Sequence, residues 1–359
     1  MIKRVLNEVY AENARNIAEA SVSLSEGVNV FCGENAQGKT NFLECVYMLC
    51  TGRSFKGAGN REFIRFGEEY TNLRGTVSDS GSTDSVEIRL QAEKKLIYVN
   101  GVGIKKLGEL YGLLHGIVFS PEDLSLVKQG PGERRRFMDV ELCQLSKIYY
   151  YNIKQYHHIL KQRNNLLKSI KQDGGLRDTT EIWDLQLVSY GADIIKARRE
   201  FARNLLGYAE KIYFDLSGGE RFNISYKPNT EEENFGEKLK RGLERDIFLG
   251  STGNGIHKDE LLFSINGDDT KVYGSQGQQR SVCLCLKLAA LSLARENTGR
   301  TPLLLLDDVL SELDDSRQKY VLNLALDVQT LISATGGNIL KVKNADRHFL
   351  VEGGKILLT

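Results

Sequence analysis

Residues Gly33 to Thr40 read GENAQGKT, a GxxxxGK[ST] run that follows the apolar segment VNVFC and precedes the amphipathic segment NFLECVYML. Strand, glycine loop and helix in that order form the setting in which backbone N–H groups wrap a β-phosphate, helped by the positive end of the helix dipole. Gly33, Glu34, Asn35, Ala36, Gln37 and Gly38 make the loop, Lys39 reaches the β and γ oxygens, and the Thr40 hydroxyl ligates Mg²⁺. A second segment, LLLLDDVLSELD at 303 to 314, supplies the acids that the loop lacks. A buried strand ending in Asp307 can hold Mg²⁺ through its water shell, and Asp308 can polarise an attacking water. The chemistry expected is hydrolysis of ATP with Mg²⁺.

ATPases of the ABC and SMC type need a third element, a signature loop that opens a helix and offers its N-terminus to the γ-phosphate held by a facing subunit. Two stretches compete for this role. LSGGE, Leu216 to Glu220, has the familiar letters, but it is followed by RFNISYKP, in which Phe222, Ile224 and Tyr226 alternate ahead of Pro228 as in a strand. GSQGQQRSVCLCLKLAALSLA at 274 to 294 opens a helix instead, with Ser275 and Gln278 at capping-box spacing and Gly277 allowing close backbone approach. The signature is therefore expected at Ser275, Gln276, Gly277, Gln278, Gln279 and Arg280. Leu216 to Glu220 is expected to be a turn entering a strand.

Holding these groups requires an α/β frame. Strand patterns occupy NLRGTVS and VEIRLQ, and LIYVNGVGI is a hairpin turning at Asn100-Gly101. Helical patterns near 147 to 171 and 180 to 215, separated by the breaker QDGGLRDTT, predict an antiparallel helical hairpin. LLFSINGDDTKVY reads as a second hairpin, TLISAT as a strand, and NTEEENFGEK at 229 to 238 as an exposed loop. Leu303 to Leu306 are apolar without alternation, as in a parallel strand covered on both faces. The expected architecture is an α/β P-loop ATPase head of ABC type, with antiparallel β elements. It is built from 1–115 and 251–359 around an inserted helical domain at 116–250.

Composition fits a protein that works in the cytoplasm, away from the membrane. Hydrophobic residues make up 41% and charged residues 26% of 359, and the opening MIKRVLNEVYAENARNI has neither the apolar core of a signal peptide nor the character of a transit peptide. Six cysteines without a CxxC pair predict buried thiols, with no disulfide or zinc framework. Net charge is only +1, but Lys128 to Lys171 holds ten basic residues against three acidic ones, a local balance of +7 that suits an anionic partner.

The P-loop, the signature helix, DDVLSELD and the segment FSPEDLSLVKQGPGERRRFMD (119 to 139) together resemble the RecF family, bacterial recombination-mediator ATPases of the ABC/SMC superfamily, over essentially the whole chain. The resemblance implies an ATPase head with a short helical domain where SMC proteins carry a long coiled coil. It also implies ATP-dependent head-to-tail homodimers, binding of duplex DNA near gaps, and loading of RecA together with RecO and RecR. By position it assigns Asp307 to the metal aspartate, Asp308 to the usual catalytic glutamate, and Ser311, Glu312, Leu313 and Asp314 to the D-loop.

Some positions depart from the family pattern. Asp308 is one methylene shorter than glutamate, which suits a slow switch. No histidine follows TLISAT, leaving Ser333 or Thr335 to sense the γ-phosphate. Ile256 and Glu260 stand in GIHKDE where proline and aspartate are usual. The three arginines Arg134 to Arg136 point to different faces of a helix and read as a solvated helix start or, by the resemblance, as structural or inter-subunit contacts. For DNA the candidates are Lys147, Lys154, Lys161 and Lys168, spaced by sevens and hence on one helical stripe. A small-molecule P-loop kinase or a transporter ATPase subunit would share the P-loop, but a kinase needs neither the signature helix nor the D-loop.

Overall fold

The computed structural model describes residues 3–79, 81–335 and 345–359. It divides into two compact units, one formed by 1–123 with 287–359 and the other by 124–286. The first unit opens with β1 (Val5–Ala14), β2 (Ile17–Ser23), β3 (Val28–Cys32) and α1 (Lys39–Thr51), followed by α2 (Asn60–Phe63), β4 (Tyr70–Ser78), β5 (Thr83–Gln91), β6 (Lys95–Val99), β7 (Val102–Ile104) and β8 (Gly116–Phe119). The second holds α3 (Ser125–Lys128), α4 (Pro131–Leu145), α5 (Lys147–Asp173), α6 (Thr180–Ser217), β9 (Phe222–Lys227), α7 (Phe235–Leu249), β10 (Glu260–Ile265), β11 (Asp268–Asp269), α8 (Thr270–Tyr273) and the start of α9 (Gln276–Thr298). The chain returns to the first unit with β12 (Leu303–Asp307), α10 (Asp315–Ala325), β13 (Thr330–Ala334), β14 (Arg347–Glu352) and β15 (Lys355–Leu358).

In the first unit, one sheet runs β2-β1-β4-β5-β6-β7 and is antiparallel throughout. The other runs β15-β14-β3-β13-β12-β8, parallel except for β15. β3, β12 and β13 are buried at every residue, which accounts for the run Leu303 to Leu306 being apolar without alternation. α1 packs against strands of both sheets, and Phe42, Leu43, Val46 and Leu49 join the core that the two sheets share. The expected strands and the Asn100-Gly101 hairpin are all present.

The second unit is built on the α5–α6 hairpin, with the three-stranded antiparallel sheet β11-β10-β9 alongside. α5 buries Tyr149, Ile153, Tyr156, Ile159, Leu167 and Ile170, a helical stripe against its neighbours. The boundary expected at 250 falls instead within α9, because β10 pairs with β9 and thereby ties 260–265 to the helical unit.

Three local expectations change. α7 begins at Phe235 inside the stretch read as a loop, because Phe235 and Leu239 are buried at i, i+4 spacing. The second hairpin keeps only a two-residue return strand, since Asp269 caps α8 by accepting from the Lys271 N–H (2.7 Å). LSGGE is the end of a 38-residue helix: Leu216 and Ser217 close α6, Gly218 adopts the left-handed conformation (φ 76°), and the N–H groups of Gly218 and Gly219 both donate to the Phe214 carbonyl. The strand expected after it is β9.

Two arginines at the heart of this unit are fully buried. Arg163 pairs with Asp184 (2.5 Å) and Asp246 (2.7 Å). Arg198 pairs with Asp139 and Asp259 (2.8 Å each) and donates to the Ile256 carbonyl, while Asp259 also accepts from Tyr226 and the Asn229 N–H. His257 of the same segment lies between Tyr156 and the Thr252 carbonyl, and burial pushes its imidazole down to about 4, so it is neutral at physiological pH. Arg198→Met would leave Asp259 a buried charge without its cation, and we expect a loss of about 3–5 kcal/mol in denaturant-monitored stability.

Candidate functional site

The loop from Gly33 to Gly38 leads from β3 into α1, and its backbone is bent in a way most side chains resist. Ala36 has φ 63° and Gly38 φ 116°. A Cβ on Gly33 would lie 2.2 Å from the Val351 carbonyl oxygen, so only glycine fits there. The first turn of α1 has no acidic residue and no side-chain cap, which leaves its N–H groups for an anionic ligand. Lys39 arches back over the loop, its Nζ donating to the carbonyls of Gly33 (2.7 Å) and Glu34 (2.6 Å). Burial lowers the Lys39 ammonium below its ordinary range, opposed by the nearby carboxylates of Asp308 and Asp307.

Those carboxylates come from the end of β12. The Thr40 hydroxyl donates to Asp307 Oδ1 (2.8 Å), and Ser333 Oγ on β13 donates to the same oxygen (2.8 Å). Ser333 Oγ also accepts from the Asp308 N–H (2.9 Å), so one hydroxyl ties both acids together. Asp308 sits in the left-handed region (φ 52°), an uncommon conformation for a residue with a Cβ and one found often at functional sites. Its carbonyl accepts from Ser311 Oγ (2.7 Å). Of the two sensor candidates, Ser333 is thus built into the acid pair.

Mg²⁺ fits this arrangement. Thr40 Oγ and the Asp307 carboxylate are adjacent hard oxygen donors, and among the described residues no group of three or more His, Cys, Asp or Glu side chains could hold a metal. A cation that takes few protein ligands and keeps waters and phosphate oxygens suits such a sparse donor set. Burial pushes the Asp307 carboxyl up, against the hydrogen bonds from Ser333 and Thr40. Because Mg²⁺ binds the ionised form, we expect metal affinity to weaken on acidification earlier than an ordinary carboxylate would dictate. A titration of Mg²⁺-dependent nucleotide affinity from neutral to acidic pH, compared with Asp307→Asn, checks this.

The remaining residues expected to form the D-loop are spread over two tasks. Glu312 and Leu313 lie in and after a short 3₁₀ turn, with Leu313 buried. Asp314 caps α10, accepting from the Arg317 N–H (2.9 Å) and Ser316 Oγ (2.7 Å), bonds that hold its carboxyl below the usual range.

Ser275 to Arg280 belong to the second unit. The capping box is reciprocal: Gln278 N–H donates to Ser275 Oγ (3.2 Å), and Ser275 N–H donates to Gln278 Oε1 (2.8 Å). Ser275, Gln276 and Gly277 are exposed at the start of α9, and Gln279 is buried with its amide donating to the Thr270 carbonyl. Lys147, Lys154, Lys161 and Lys168 are all exposed along α5. The +7 balance overstates what is available, because Arg134 is buried against Glu260 (2.7 Å), Arg163 is buried in its ion pairs, and Arg135 donates to the Asp259 carbonyl. Arg134 and Arg135 are therefore structural here.

Sequence inspection missed the groups that brace the loop from outside. Asn16 Nδ2 donates to the Gln37 carbonyl (3.1 Å), the Gly354 N–H donates to the same oxygen (2.9 Å), and the Gly353 N–H donates to Gln37 Oε1 (2.6 Å). The glycine pair at 353 and 354 announces a hairpin turn, but nothing local says that this turn supports the phosphate loop.

A glycine loop feeding α1 from a parallel sheet, an acid pair at the end of β12 with β13 between it and the loop's own strand, and an inserted helical unit whose last helix begins with a capped Ser-x-Gly-Gln define a P-loop ATPase head of the SMC type. The family model described as the RecF/RecN/SMC N-terminal domain matches residues 5–345. The chain is 43% identical to a DNA replication and repair protein RecF of Agathobacter rectalis over 357 residues, 98% of each chain, and 44% identical to that of Lachnospira eligens over 359 residues, 98% of this chain and 99% of the other. A solved structure of the recombination mediator protein RecF with ATP, in the RecFOR pathway, aligns over 99% of this chain and 98% of its own with TM-score 0.94 and 37% identity. The Smc head domain of Pyrococcus furiosus shares the fold at TM-score 0.58 and 14% identity, over 100% of this chain and 96% of its own. The chain belongs to the RecF family.

Proposed function

We propose that this protein is an ATP-driven DNA-binding switch of recombinational repair. Mg²⁺·ATP binds at Gly33 to Thr40 and Asp307. Two copies then join head to tail, each presenting Ser275 to Arg280 to the γ-phosphate held by the other, and Asp308 directs water in a slow hydrolysis that DNA stimulates and that resets the dimer. Supporting this most directly is the Thr40–Asp307–Ser333–Asp308 chain of hydrogen bonds, which sets a metal ligand and a water-directing acid beside the phosphate loop. The bound ATP supplies the reactive γ-phosphate, and these residues bind, orient and take up the proton.

The DNA part of the proposal rests on α5. Its four lysines are exposed on a helix of 27 residues, roughly 40 Å long, and the sequence offers no base-reading motif, so backbone recognition of duplex DNA is expected. By family membership the DNA is duplex near gaps and the working partners are RecR, RecO and RecA, in the cytoplasm. No helix among the described residues is long and apolar enough to cross a membrane. The test is duplex affinity with and without ATP: ATP should strengthen it, and ATP-independent binding contradicts the switch. Each single Lys→Ala at 147, 154, 161 or 168 should reduce the steepness of log K against log salt by about one unit. Four unchanged slopes would return these lysines to solvent.

A further inference from the structure

The LSGGE segment does not open a helix, yet its last residue touches the loop that does. Glu220 Oε2 accepts from Tyr213 OH (3.0 Å), and Glu220 Oε1 accepts from Gln278 Nε2 (2.8 Å). The Glu220 N–H donates to Ser217 Oγ (3.0 Å), which fixes the residue against the end of α6. A glutamine amide can present either its oxygen or its NH₂ group by a half-turn. With Nε2 engaged by the carboxylate, Gln278 turns only its oxygen toward the Ser275 N–H. Ser275 Oγ meanwhile accepts from the Gln278 N–H, so the oxygen of this exposed serine is held in place while its rotatable proton can still be donated to a phosphate oxygen.

We infer that Glu220 is a positioning residue of the signature: it locks the Gln278 amide and through it the conformation of Ser275 in which the loop meets a second copy's γ-phosphate. The inference rests on the assignment of Ser275 to Arg280 as that signature. The arrangement puts an anion behind a loop that must receive one, so the acceptor oxygen, not the negative charge, is what the loop needs. This separates the role from simple electrostatics.

The experiment is an ATP titration of dimerisation followed by light scattering, with ADP affinity measured alongside to read the phosphate loop alone. Glu220→Ala should raise the ATP concentration for half-maximal dimerisation about tenfold, the scale of one lost charge-assisted hydrogen bond, and leave ADP affinity unchanged. Glu220→Gln, which keeps an acceptor oxygen without the charge, should restore most of the dimerisation. Tyr213→Phe leaves the carboxylate in place and removes one of its tethers, so it should shift the curve the same way by less; this arm stands if Glu220→Ala folds poorly. Wild-type behaviour of Glu220→Ala and Tyr213→Phe, or equal impairment in Glu220→Gln and Glu220→Ala, overturns the inference provided Ser275→Arg abolishes dimerisation. Dimerisation that survives Ser275→Arg overturns the signature assignment beneath it.

Discussion

Lys39→Met is expected to stop ATP turnover, lowering kcat/KM by at least about a thousandfold, or roughly 4 kcal/mol of lost transition-state stabilisation. The ammonium is the cation nearest the loop that would face the β and γ oxygens, and in this structure it spans the Gly33 and Glu34 carbonyls. On the proposed function, bound ATP would exchange those carbonyls for phosphate oxygens, and the interaction would grow as charge develops on the transferred group. Methionine keeps an unbranched apolar stem that ends one atom short of the lysine nitrogen, and so removes the charge and the donors with little change of packing. The fold should therefore survive, because the core face of α1 is carried by Phe42, Leu43, Val46 and Leu49. Hydrolysis assays with a thermal melt of the same sample check both halves, and turnover near the wild-type rate would remove Lys39 from the mechanism.

Ser275→Arg is expected to abolish ATP-dependent dimerisation and with it hydrolysis, while nucleotide binding by the monomer persists. Ser275 is the residue whose side chain accepts from the Gln278 N–H ahead of α9. Losing that acceptor costs about 1 kcal/mol of cap energy, too little to unfold a chain of this size. What the arginine does in addition is fill the exposed approach to a helix start with a long cation, where a facing γ-phosphate would have to come within hydrogen-bond distance. We expect association to weaken by more than about a hundredfold, on the scale of hot-spot losses at interfaces. Equilibrium sedimentation with ATP, paired with monomer nucleotide binding, separates the two effects; an active Ser275→Arg monomer would contradict the trans arrangement.

The features legible in the sequence share one property: their parts lie close together along the chain. Gly33 to Thr40 is a single loop and helix start, Leu303 to Asp307 a single strand, and Ser275 with Gln278 a box closed within three residues. The same local reasoning set LSGGE aside, since alternation at Phe222, Ile224 and Tyr226 demands a strand after it, and Gly218 ends a helix there. What stayed hidden depends on pairing across the fold. Nothing near Ser333 announces that its hydroxyl would join Asp307 to Asp308, because that bond exists only once β13 lies parallel to β12. Arg163 and Arg134 entered the +7 balance as if available because their partners, Asp184, Asp246 and Glu260, are 21 to 126 residues away. The start of α7 was missed because the polar stretch that precedes it, TEEEN, draws attention away from the i, i+4 pair Phe235 and Leu239 that buries the helix.

The most direct test of the account is sedimentation of the purified chain with Mg²⁺·ATP, with and without a short duplex DNA. The account predicts a monomer without nucleotide, a dimer with ATP that captures the duplex, and a return to monomer in Lys39→Met and Ser275→Arg. A chain that remains monomeric with ATP and ignores DNA would contradict it, and would leave a P-loop enzyme acting on a small molecule as the better explanation of Gly33 to Thr40.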